Sequence, residues 1–323
     1  ASDVYKRQDQ CVADTLCAGC IMYGQRNVPQ VLAFCEDMSE VAADDVLFLN
    51  YANPMAMNTW TANEYGCINT VGLCHGVQGG HRQICQVIEL LVNKRKKPGS
   101  RGYREVTKKD VDIICAGINH QTWYVQVIFD GEDWTGSLLE GFEKHPMYSK
   151  TEKVRIDMLR RFGYYTTESN GHVSEYVPWY RKRPREIRRW IDLSNWIHGE
   201  TGGYLRVCTE GRDWFQTDFP NWLAQEPPVF SCDTRSEEHG SWIIEALETG
   251  RVYRGHFNVV NDGCITNLPN QAVVEVPGYV DGNGMSIPQV GELPLACAAI
   301  CSASIHVQHL AVEAAVHGDG ELL

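Results

Sequence analysis

The run Val46-Leu47-Phe48-Leu49 is unbroken by any polar residue, ends in Asn50-Tyr51-Ala52-Asn53 and meets Pro54 at once. A short apolar run closed by turn-formers predicts a strand buried on both faces, as in a parallel sheet. Pro suits the first turn of a helix, so a helix should follow. Thr70 to Leu73 repeats the pattern and ends in Cys74-His75. Asp112 to Ala116 does so again, ahead of Gly117-Ile118-Asn119-His120. Helical spacing marks Val28 to Met38, Gln83 to Val92 and Thr151 to Phe162, whereas Asp14 to Gly24 reads as a loop. Thr122 to Asp130 alternates and predicts a strand with one exposed face. Further on, Arg181 to Arg189 reads as an exposed helix face. Ser236 to Glu248 reads as a helix opened by a capping Ser236. Val252 to Val260 and Ala272 to Val280 read as strands, and Gly291 to His317 as a long helix broken near Pro294.

Strand and helix alternate early, and antiparallel strands mix with helices later. The expected class is α/β: a partial Rossmann-like domain over residues 9–120, then an α+β domain over residues 121–323. Ligands of open α/β sheets bind beyond the carboxyl ends of the strands. Three strand ends here carry polar clusters, and the expectation is that they converge on one site where Cys74 and His120 share a metal ion.

The chain has 323 residues and a formal charge of -12, which argues against a general nucleic-acid-binding surface. The one dense basic run, Lys94 to Lys97, lies among Pro98, Gly99 and Gly102 and reads as a solvated loop. No apolar run has the length of a membrane span. Thirteen cysteines are scattered and odd in number, which fits reduced thiols in the cytoplasm better than a disulfide scaffold. Cys17-Ala18-Gly19-Cys20 is formally C-x-x-C, but no second pair stands at zinc spacing, so chance is the simpler account. Residues 1–8 fit no element and read as an artefactual tail on a fragment whose true start lies upstream.

A thiolate and an imidazole each bind divalent transition metals. A buried structural cysteine accounts for Cys74 equally well. Asn53 and Asn119 suit hydrogen bonds to a polyhydroxylated substrate, or simply cap turns. Asp14 and Glu168 suit general acid or base work, or face water. Tyr164, Tyr165, His172 and Tyr176 surround Glu168 in sequence, as a sugar platform or as core. There is no G-x-G-x-x-G, nucleophile elbow, phosphate-binding loop or H-E-x-x-H.

Five blocks in order resemble glycoside hydrolase family 4, in its melibiase and α-galacturonidase branch. They are NYANPMAMNTW, TVGLCHGVQG, CAGINHQTWY, KVRIDMLRRFGYYTTESNGHVSEYVPWY and NDGCITNLPNQAVVEVPGYVDGNG. The resemblance implies an NAD-binding Rossmann domain and a second domain of the lactate and malate dehydrogenase type. It implies NAD and a divalent metal, usually Mn2+, in a homo-dimer or homo-tetramer of the bacterial cytoplasm acting on a small α-glycoside. The family departs from two-carboxylate glycoside hydrolysis. NAD oxidises the sugar at C3, a base takes the C2 proton, the glycosidic oxygen leaves, water adds and the ketone is reduced. By motif, Cys74 and His120 are the implied metal ligands. Asn53, His75 and Asn119 are the implied sugar contacts, Asp14 the acid, and Glu168 the base with Tyr165 or Tyr176 behind it. Cys17 and Cys20 stand where relatives usually have Gly. Gly76 and the HRQI, GETGGYLRVC and RSEEHGSW segments lean toward a galacturonide over a galactoside. With the main NAD motif upstream of residue 1, the chain as given is expected to bind NAD poorly and to be inactive. The alternatives are a metal-independent 2-hydroxyacid dehydrogenase and a non-catalytic sugar- or metal-binding remnant.

Overall fold

The computed structural model describes residue 10 and residues 15–94, 96–227, 231 and 235–322. Helix α1 (Ala18–Val41) is longer than its apolar stripe predicts and takes in most of the segment expected as a loop. Its buried face continues toward the amino end through Cys20 and Gly24 before Val28, Val31 and Cys35. Small residues hold that face, so hydrophobic periodicity does not register it.

Strand β1 (Phe48–Asn50) pairs in parallel with β2 (Thr70–Gly72), with Phe48 opposite Thr70. Helix α2 (Met55–Glu64), capped by Pro54, makes the crossover, and α3 (Gly76–Asn93) leaves the end of β2. Every other pairing among the named strands is antiparallel. Strands β3 (Val111–Ile118) and β4 (Gln121–Phe129) form a tight hairpin, and β5 (Glu132–Asp133) lies beyond β4. Helices α4 (Leu138–Lys144) and α5 (Lys153–Phe162) follow, then β6 (Tyr165–Thr166) beside β4, then α6 (Asn170–Tyr176) and α7 (Pro184–Trp190). Helix α8 (His239–Thr249) leads to β7 (Tyr253–Val260), β8 (Val273–Asp281) and β9 (Gly284–Ser286), and α9 (Leu295–His317) follows.

The strand order is β1-β2-β7-β8-β3-β4-β5, with β6 on β4 and β9 on β8. Strands from before and after residue 120 are therefore interleaved in one sheet. A division at residue 120 falls inside the β3–β4 turn.

Adjacent residues of a strand point to opposite faces. Trp123 enters a core shared with α9 through Cys297, Cys301 and Ile305. Its neighbour Tyr124 enters a second core with Ile84, Ile88, Phe142 and Tyr165. Residues 121–124 of β4 are thus covered on both sides, where alternation predicted one exposed face. Burying each such large apolar side chain contributes about 1.5–3 kcal/mol. Tyr165, a reserve candidate for the base, lies in this second core, stacked on Phe142 and under the Arg155 guanidinium.

The expectation of no membrane-length apolar run needs correction. Helix α9 has 23 residues, and by length and composition alone it is apolar enough to cross a membrane. It packs on α1, α2 and β3 and buries Cys297, Cys301, Ile305 and Val312, while Leu295, Val307 and Leu310 stay exposed.

Candidate functional site

Three chain segments deliver one metal-ligating atom each to the same point. Cys74 follows β2 and precedes the first turn of α3. His120 occupies the turn between β3 and β4, and Glu168 lies between β6 and α6. The ligand atoms of Cys74, His120 and Glu168 all lie within 4.8 Å of one another. His120 and Glu168 both adopt positive φ, 63° and 75°. Non-glycine residues there carry strain of about 1–3 kcal/mol, which persists only where the surroundings enforce it.

Each ligand is held from behind. His120 Nδ1 meets the Tyr176 hydroxyl at 3.0 Å, and its Nε2 lies 3.2 Å from Glu168 Oε2. The other Glu168 oxygen takes His172 Nδ1 at 3.1 Å and the Ser169 backbone N–H at 3.2 Å. Burial would raise the Glu168 pKa, but the His120 charge and the His172 contact outweigh it and hold the carboxyl well below its usual range. Burial pushes the Cys74 thiol up, and the Glu275 and Glu168 charges add to it. The Gly76 N–H and the neighbouring Asn119 amide act in the opposite sense. His239 Nε2 donates to the Cys74 carbonyl at 3.2 Å, and its Nδ1 accepts from the Tyr253 hydroxyl at 2.7 Å.

A cavity of about 850 Å³ opens over these groups, with Tyr51, Asn53, Cys74, His75, Glu168 and His172 in its wall. Asn53 faces it and also caps a turn, its Oδ1 accepting from Met55 N at 3.2 Å. His75 is exposed, 3.7 Å from Glu238. Asn119 is fully buried and absent from the wall, so its expected contact with substrate does not match its position. Its amide sits beside the Cys74 sulfur without a hydrogen bond of good geometry. Asp14 lies outside the described residues. Thr15, next to it, donates to Asn53 Oδ1 at 3.4 Å.

The donor set suits a divalent cation: a sulfur, an imidazole nitrogen and a carboxylate oxygen within reach of one ion, beside an open cavity. The buried Asn119 amide, unsatisfied by protein, is further polar capacity at the same place.

The model of the family 4 glycosyl hydrolase C-terminal domain matches residues 115–323, and that of family 4 glycosyl hydrolases matches residues 5–90. The chain belongs to glycosyl hydrolase family 4. An α-galactosidase of Rhizobium meliloti (strain 1021) is 56% identical over 316 residues, 98% of this chain. The chain spans 61% of that relative's length. The crystal structure of lplD from Bacillus subtilis superposes with a TM-score of 0.80 at 22% identity, covering 99% of this chain and 72% of the other. A 6-phospho-β-glucosidase of Thermotoga maritima, solved with manganese, NAD+ and glucose-6-phosphate, gives 0.66 at 18% identity, over 94% and 65% of the two chains. Both likenesses place the chain in the family 4 fold.

Sequence reasoning did not find His239, Glu275 or Tyr51. His239 opens α8, far along the chain from Cys74, and Glu275 sits in an apolar strand where it reads as an interruption. Glu275 has no neighbour in sequence that points to the site, whereas His239 lies in the RSEEHGSW segment, whose Ser236, Glu238, Gly240 and Ser241 line the cavity. Tyr51 lay within the strand-end cluster already singled out, and its contact with the Gly240 N–H depends on the tertiary fold.

Proposed function

We propose that this family 4 chain forms the metal- and sugar-binding part of an α-galactoside hydrolase, with Cys74 and His120 as metal ligands. The observation that carries the reading is the clustering of Cys74, His120 and Glu168 at the wall of the cavity. The α-galactosidase relative, at 56% identity, supports a galactoside and turns the reading away from the galacturonide that local segments suggested.

The cofactors proposed are NAD and Mn2+, supported by family membership and by the Thermotoga maritima structure that holds both. When bound, the metal supplies Lewis-acid stabilisation of charge developing on sugar oxygens. NAD is assigned no residue of this chain, because no G-x-G-x-x-G occurs in its sequence. Asn53 and His75 are the proposed sugar contacts. The proposal for Asn119 shifts to supporting Cys74. Asp14 stays the proposed acid.

Glu168 is the proposed base, and its geometry favours a second reading as a third ligand. A carboxylate held this far below its usual range accepts a proton poorly at neutral pH. The homo-dimer or homo-tetramer and the bacterial cytoplasm also stand as proposals.

The test is Mn2+ titration of this chain by calorimetry, together with turnover of p-nitrophenyl α-galactoside by the full-length protein in the presence of NAD and a thiol. Cys74→Ala and His120→Ala should each lose measurable Mn2+ affinity while keeping the wild-type circular dichroism spectrum. Wild-type affinity in both variants would overturn the metal assignment. Glu168→Gln separates its two readings: a base leaves Mn2+ affinity intact and abolishes turnover, whereas a ligand loses both.

A further inference from the structure

We propose that Cys17 and Cys20 are a redox-active dithiol that closes to a disulfide by exchange with a small-molecule disulfide, a modification site separate from the metal cluster. The C-x-x-C spacing alone carries nothing, since thirteen cysteines produce chance pairs. The fold adds what spacing lacks. Cys17 is the cap of α1, a 24-residue helix, and Cys20 lies in its first turn on the buried face. The two sulfurs are 3.1 Å apart, so either thiol can donate to the other. The Cys20 N–H donates to the Cys17 carbonyl at 2.9 Å, which holds the two residues in this arrangement.

Cys297 and Cys301 lie on one face of α9, but burial pushes both thiols up to about 12 and keeps them protonated and inert. Cys17 and Cys20 are both buried, and the route to them is through Cys17. Cys17 lines a cavity of about 440 Å³ between α1 and α9, walled by Leu16, Ile21, Met57, Val307 and Ala311.

The chemistry balances with one disulfide consumed and one formed. The Cys17 thiolate attacks a sulfur of the small disulfide and releases one thiolate. Cys20 then attacks Cys17 in the mixed disulfide and releases the second. The two protons lost by the cysteines pass to the two thiols released. Closure would tie together the segment whose Thr15 bonds Asn53 at the edge of the candidate site.

The experiment incubates the reduced full chain with glutathione disulfide, blocks remaining thiols with N-ethylmaleimide and maps the products by tandem mass spectrometry. The expected result is a Cys17–Cys20 crosslink, lighter by the mass of two hydrogens, that regains two alkylation sites after dithiothreitol. In Cys20→Ser, Cys17 should instead retain a glutathione adduct. Alkylation of both Cys17 and Cys20 while exposed Cys67 and Cys208 carry glutathione would overturn the proposal. So would a crosslink of either residue to a different cysteine.

Discussion

Thr122 has one hydroxyl proton and two oxygen neighbours. Its Oγ1 lies 2.8 Å from the Ile118 carbonyl and in short contact with Glu275 Oε2. A carbonyl can only accept, so if both contacts are hydrogen bonds the carboxyl donates, and Glu275 is protonated. Its pKa agrees: burial and the Glu168 charge push it up to about 7, against the pull of Thr122 and Asn258. An acid whose folded pKa is raised holds its proton while the unfolded chain ionises. Its contribution is therefore intact below the unfolded value and lost as pH rises through about 7. Glu275→Gln keeps the shape and cannot ionise. Relative to wild type, the variant should gain about 3 kcal/mol of stability between pH 4.5 and pH 7. Urea denaturation at the two pH values measures this, and parallel profiles would refute it. A second residue-scale test concerns Tyr176, whose hydroxyl meets His120 Nδ1. Outer partners of this kind are worth about 10–100-fold in metal affinity. Tyr176→Phe should weaken Mn2+ binding by about that factor with little change in melting temperature, and an unchanged Mn2+ isotherm would remove Tyr176 from the site. Residues of this scale divide sharply in how they read from sequence. Cys74 and His120 stand beside strand ends, so strand patterning found them. Glu275 is an ionisable residue inside an apolar strand, and its state depends on Thr122 of β4 and Asn258 of β7, which no local pattern brings to it.

The element that matters most to the site is the β3–β4 hairpin. Gly117, in β3, has φ of 152°, and a Cβ there would meet the Gln121 carbonyl oxygen at 2.5 Å and Thr122 Cα at 2.9 Å. Both are backbone atoms of the facing strand, so relief requires the hairpin to open just where Asn119 and His120 are held. Gly117→Ala should therefore cost about 1–3 kcal/mol and weaken Mn2+ binding together with stability. A merely structural glycine would lower stability alone. Chemical denaturation paired with Mn2+ titration distinguishes the outcomes, and a variant wild-type in both would show that the strand accommodates a methyl group. Elements whose apolar period was written in large side chains, such as α3, α5 and the pair β7 and β8, were legible in the sequence. The amino end of α1 was not, because Cys and Gly occupy its buried face. The capping role given to Ser236 also missed. Helix α8 begins at His239 after Glu238, and His239 is engaged with the Cys74 carbonyl and Tyr253. The parallel pair β1–β2 matched its prediction in order and direction. The interleaving of β7 and β8 between β2 and β3 is set by long-range packing that no local period encodes.

At the scale of the whole molecule, buried imidazoles decide the response to acid. His239 and His256 are buried and His81 half-buried. Burial lowers their pKa values to about 4, about 3 and about 4 respectively. His256 is fixed as an acceptor by the Cys115 N–H at 3.1 Å, so charging it would break a core contact between β7 and β3. A group whose folded pKa is depressed contributes stability that is full above the unfolded value and drains away as pH falls toward the folded one. Near pH 5 the unfolded chain therefore binds three protons that the folded chain refuses, while Glu275 opposes them by holding one that the unfolded chain releases. For these four groups the balance, three less one, is an uptake of about two protons on unfolding, to which Glu168, held low by the fold, adds as pH falls toward 4.5. Stability should fall by at least about 2–3 kcal/mol per pH unit of acidification there. Urea titrations at pH 5.5 and pH 4.5, with free energies extrapolated to zero denaturant, give the slope directly. In Glu275→Gln the opposing proton is gone, so the slope should steepen toward three protons. A flat profile across this window, or a shallower one in the variant, would mean that the imidazoles are not held neutral by the fold.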